Sequence, residues 1–254
     1  MLRVMLLLLF ALLSPAFAAL PFNNALNLTA GTVGNTPRNL KQNHSVTGFY
    51  PIWENTGFIQ KHRELFAGTN HLQFGIKNGA QIGLLPVQYM YRTPNLYGKF
   101  ALYEKGPWHL ATQIGLLDLL PGASKAYFSP MFTSRLDNPD FSLFLIPVSL
   151  SATLEVADWL DLHQTLTSLS TFTSGPLDNE TNFGLSLVAE IKGLSQHSLL
   201  FHWANVGLWR PDLTILGTSY RFQGEIVEFR LGYFYRFQKS GLQSSPMVSL
   251  GFKL

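Results

Sequence analysis

The 254-residue chain contains no cysteine. An exported chain without disulfides must draw its stability from a large core, a membrane or a closed sheet. It is also excluded from the lipoproteins, which need a cysteine to acylate. Charge is scarce as well: Asp, Glu, Lys and Arg make up 13% of residues, about half of what a soluble domain carries. The one long apolar run, Val4 to Leu13, is too short to cross a bilayer as a helix. No G-x-S-x-G, H-E-x-x-H, P-loop or G-x-G-x-x-G motif occurs. His197 and His202 are five apart, so a strand puts them on opposite faces and no metal-ligand spacing is present. No cofactor is implied. The catalytic classes that these motifs mark find no support, and an enzyme is the less favoured reading.

What is there begins with a leader. Arg3 precedes the apolar run, and Ala16-Phe17-Ala18 forms a small-x-small site, the pattern of a secretory signal peptide. Cleavage after Ala18 would leave Ala19 to Leu254. Removing Arg3 from the 18 Lys and Arg leaves 17 against 15 Asp and Glu, scattered rather than patched, which gives no argument for nucleic acid. Residues 19–55 show no sustained period, are rich in Asn, Thr and Gly, and are broken by Pro37 and Pro51. They are expected to form an extension in the periplasm or in a barrel mouth, with the barrel itself spanning 56–254.

Aromatics match the charged residues at 13%, and alternation dominates from about Glu64. The clearest run is Glu225 to Phe237. Val227, Phe229, Leu231, Tyr233 and Tyr235 fall on one parity. Glu228, Arg230, Gly232 and Arg236 fall on the other, with Phe234 the apolar exception. Similar runs are expected from Glu64 to Ile76, from Ala80 (after the hairpin signal Asn78-Gly79) to about Tyr91, to Tyr103, and from Trp108 to Leu116. They continue over Phe141–Glu155, Leu160–Thr173, Thr181–Lys192, Ser198–Ala204 and Asp212–Phe222. Residues 125–135 offer a further strand interrupted by Pro130. The connections alternate short and long when counted back from a long one at Gln238–Ser245. Many runs reach ten or more residues, against five or six in soluble sheets. The fold expected is all-β: an up-and-down antiparallel transmembrane β-barrel of about twelve strands, with ten as the alternative.

The chain ends in an amphipathic strand that places Val248, Leu250, Phe252 and Leu254 on one face. Together with the leader and the strand pattern, this ending resembles that of Gram-negative outer-membrane β-barrel proteins, although those more often end in Phe. The resemblance implies an outer-membrane location and contact with lipid bilayer and lipopolysaccharide. It also implies handling by periplasmic chaperones and the barrel-assembly machinery, with these four residues as the assembly signal.

The polar parity supplies the candidate lumen residues: Lys99, Glu155, Asp161, His163, Glu190, His202, Arg221, Glu228, Arg230 and Arg236. They would either form a constriction of mixed sign that passes small polar solutes, as in a porin, or pair with one another in a nearly closed structural interior. Two other readings stay open. One is a membrane-embedded lipid-modifying enzyme with His163 or His202 as base, though no His-x-Ser-Asn signature is present. The other is a soluble exported β-barrel or sandwich that binds a ligand.

Overall fold

A computed structural model of the chain describes residues 31–33, 45–47, 56–120 and 143–254, apart from short stretches at 70, 78, 87–88, 90–92, 174–178, 194–195, 206–213 and 239–240. Two three-residue strands, β1 (Gly31–Val33) and β2 (Ser45–Thr47), pair with each other in a sheet of their own among the described residues. Twelve more follow: β3 (Leu65–Gly68), β4 (Leu72–Lys77), β5 (Ala80–Leu84), β6 (Asn95–Lys105), β7 (Trp108–Leu119), β8 (Leu143–Ala157), β9 (Leu160–Thr173), β10 (Glu180–Lys192), β11 (His197–Asn205), β12 (Thr214–Gln223), β13 (Val227–Gln238) and β14 (Gly241–Lys253). Each pairs antiparallel with the next, and β14 returns to β3, so the twelve strands close an up-and-down barrel.

The hydrophobic pattern is inside out relative to a soluble protein. Along β13, Leu231, Tyr233 and Tyr235 are exposed while Glu228, Arg230 and Phe234 are buried. Phe74, Ile82, Ile114, Val148, Leu150 and Val248 are exposed on other strands. Gln73, Gln81, Lys99, Gln113, Ser149, Ser151 and Thr165 are buried. An apolar belt running round every described side of a barrel is far larger than any patch a soluble monomer leaves to water. In lipid it costs nothing, and barrel closure satisfies the backbone internally. The 15 residues of β8 span about 50 Å at ~3.3 Å per residue, more than enough for a tilted strand to cross a bilayer core. The barrel is a transmembrane one.

This facing predicts a depth-dependent cost. Leu231, opposite Val248 in register, should lose about 2–4 kcal/mol of bilayer folding stability on Leu231→Arg. Tyr235 lies nearer the end of the wall, and Tyr235→Arg should cost only about 0–1 kcal/mol. Unfolding titrations in lipid vesicles check both, and equal costs would contradict the facing.

Three sequence expectations are corrected. The run Glu64–Ile76 is not one strand: the chain turns at Thr69–His71, Gly68 N bonding His71 O, so β3 and β4 are separate. The reversal turns Phe66 inward, where it stacks on His71 at 4.9 Å, while Phe74 and Ile76 stay outward. The strand after Gly79 ends at Leu84 rather than near Tyr91, because Asn95 captures Leu85 through both backbone groups, at 2.7 and 3.1 Å. The connection placed at Gln238–Ser245 is instead mostly strand, since β14 starts at Gly241. Twelve strands are reached by that split, while the strand expected over 125–135 lies outside the described residues.

Candidate functional site

One end of the barrel, here the turn end, carries the short connections at Gly106-Pro107, Asp158-Trp159 and Gly224–Ile226, together with the chain terminus. Thr56 to Gln60 sit inside that end, and all five are buried. The segment starts against β7 and β8, where Gly57 N donates to Thr153 Oγ1 at 2.8 Å and Phe58 packs on the His109 ring at 4.5 Å. It finishes against β4 and β5, where Gln60 N donates to Gln81 Oε1 at 2.6 Å and Gln81 Nε2 donates to Gln73 Oε1. Two glycines allow this close crossing. A Cβ on Gly57 would collide with the His109 carbonyl, and one on Gly75 with the Lys61 carbonyl. Between these anchors the chain crosses β6 along the inner side of the turn end before β3 begins, and this segment is called the bar.

Beside the bar lies a charge network that strand register assembles. Val188 pairs with both His163 and His202, and Glu190 pairs with Asp161, so alternate residues of β9, β10 and β11 reach one patch of the interior. The Arg221 guanidinium donates to Glu190. His163 Nε2 is 3.1 Å from the other Glu190 oxygen, and its Nδ1 is 2.9 Å from Thr153 Oγ1. Lys192 Nζ is 2.6 Å from Asp161. A second group adjoins it: Arg230 donates to Ser219 Oγ at 3.1 and 3.2 Å, and His202 Nε2 is 2.9 Å from the same oxygen. Glu190, Arg221 and Arg230 are each 0% exposed. Isolated charges could not stand such burial, but opposed and hydrogen-bonded ones can.

Of the ten candidate residues, the structure gathers Asp161, His163, Glu190, Arg221, His202 and Arg230 into these two adjoining groups. Lys99 and Glu228 are buried on the same inner face. Glu155 stands at the turn end, partly exposed, 3.2 Å from His109. Arg236 registers with Ile215, and its side chain lies outside the described residues. Sequence reasoning missed the contributions of Thr153, Lys192 and Ser219 to these groups, because small or terminal polar residues on a polar parity carry no motif. Asp161, His163 and Glu190 offer ligand atoms within 4.8 Å of one another. Lys192 and Arg221 already supply cationic charge to both carboxylates, so the cluster is balanced by side chains.

The C-terminal candidates divide by role. Val248, Leu250, Phe252 and Leu254 face outward. Their backbone also closes the barrel: Phe252 pairs with Ala67, and Leu254 exchanges bonds with Leu65 at 2.8 and 3.0 Å.

Register and outer wall define the class, a transmembrane β-barrel of the outer-membrane type. No protein-family model matches the sequence, and no curated protein matches it. Among solved structures, the chain is similar to the Yersinia pestis outer membrane protein Ail in a phospholipid bilayer nanodisc, with TM-score 0.28 and 9% identity over 77% of this chain and 100% of that one. A crystal structure of Ail gives TM-score 0.21 and 8% identity over the same shares. Ail in complex with the heparin analogue sucrose octasulfate gives TM-score 0.20 and 11% identity over 75% and 95%. At these scores the likeness bears no further weight.

Proposed function

We propose that the chain is an outer-membrane protein of a Gram-negative envelope, exported by a cleaved leader, whose barrel has a closed polar core. On this reading the turn end faces the periplasm, as short turns and termini do in outer-membrane barrels. The observation that carries it is the complete burial of Arg221, Arg230 and Glu190, which stand on the inner faces of β12, β13 and β10. In a water-filled porin such residues would be wet. Here they serve as the barrel's core, and the structural envelope role is favoured over standing solute passage. Small polar solutes would pass only if Thr56–Gln60 left the turn end.

The lipid-modifying reading is less well supported. His163 and His202 are buried in the interior, while acyl substrates lie against the outer wall. Comparing two shortened chains in planar bilayers tests the closed core. A protein starting at Thr56 keeps the bar and should conduct no more than the full chain. One starting at Lys61 lacks it and should show new, larger single-channel steps. Equal conductance from both would sink the role given to Thr56–Gln60.

A further inference from the structure

The barrel wall is uneven. Ladders between β7 and β14 run long, whereas β14 meets β3 over only Gly251–Lys253. β3, β4 and β5 have four, six and five residues. Because β3 turns back at Thr69, the edge of β14 above Leu250 meets no strand of the barrel wall among the described residues.

The parity of that edge is fixed. Leu250 N donates to Thr69 Oγ1 and Leu250 O accepts from Thr69 N, while Leu254 exchanges bonds with Leu65. Even-numbered residues of β14 thus aim their backbone away from β13. The β13–β14 register has no shift, so Val248, Pro246 and Ser244 aim the same way. Pro246 has no N–H to offer, as suits a position on an unpaired edge. Val248, however, stands opposite Leu231 on the lipid-facing wall. Its N–H and C=O would face hydrocarbon, where an open sheet edge is not tolerated. An acyl chain cannot satisfy them; another backbone can.

The chain carries a candidate. β1 lies beside β14, and β1 pairs with β2 along only one of its edges. A lone two-stranded hairpin is marginal in water and gains by joining a sheet. We propose that the β1–β2 hairpin adds to the upper edge of β14 and seals the seam of the barrel. The occupant is this chain's own extension rather than a second copy.

The absence of cysteine makes the test clean. One cysteine is placed at β1 (Thr32→Cys or Val33→Cys) and one at β14 (Ser244→Cys or Val248→Cys) in the full chain folded in vesicles, then bridged by oxidation or a short bismaleimide. Crosslinks within one chain are expected, and crosslinks only between chains, or none, overturn the proposal. Independently, the Val248 amide should exchange slowly in the full chain and lose that protection when residues 31–47 are deleted, while amides of Gly251–Leu254 at the closing seam stay protected. Unchanged Val248 protection in the deletion variant also overturns it.

Discussion

Glu190→Leu is expected to lower the folding stability of the barrel in lipid by about 3–5 kcal/mol, the cost of leaving a buried charge without its partner. Glu190 is the hub of the interior: it accepts from Arg221 on one oxygen and lies 3.1 Å from His163 on the other. Without it, the Arg221 cation remains in a place no water reaches. Leucine fills much of the volume, so the loss reads as charge rather than cavity. Adding Arg221→Met to the same chain should recover most of the loss, since a buried ion pair is often replaceable by apolar side chains of similar size. Urea unfolding in vesicles of the two single variants and the double variant forms the cycle. A loss below about 1 kcal/mol, as exposed pairs show, would mean that the network is wet and the core open.

Deleting Phe252 to Leu254 should all but abolish the assembled barrel. The sequence marks this ending as an assembly signal, and the structure adds a mechanical reason. Two of the three β14–β3 pairs involve Phe252 and Lys253. Leu254 adds two backbone bonds to Leu65, and Lys253 Nζ lies 2.5 Å from Glu64. With these gone, Gly251 opposite Gly68 and the bonds between Leu250 and Thr69 are what remains of the β14–β3 contact, and the sheet is left open there in lipid. Cells should hold degraded periplasmic chain in place of heat-modifiable barrel. Lys253→Ala keeps every backbone bond and should leave the barrel amount near normal. If the three-residue deletion still yields normal amounts of folded barrel, closure at β14–β3 is not what completes the wall.

The long strands were readable because nothing interrupts their period. β13 follows Val227, Phe229 and Leu231 outward residue by residue, and β8 to β12 follow their patterns equally well. The wall failed to read true where local geometry broke the period. Gly68 to His71 reverses the chain within a run that still alternates on paper, so Phe66 turns inward although it shares the parity of Phe74 and Ile76. Asn95 ends β5 by bonding Leu85 across ten residues, which no window of sequence displays. The inward set was legible as a set, since polar parity marks it. The pairing was not: Glu190 and Arg221 are 31 residues apart and on strands that do not adjoin. The bar at Thr56–Gln60 was invisible for another reason. Its hydrogen bonds go to Thr153 and Gln81, and Gly57 and Gly75 signify only once the crossing is seen.

The most direct measurement is the planar-bilayer conductance of the unaltered full-length chain, refolded and inserted at known density. A core closed by Thr56–Gln60 and by Arg221, Glu190 and Arg230 predicts current indistinguishable from that of the bare membrane at modest voltage. Long-lived open steps of uniform size from the intact protein would contradict it.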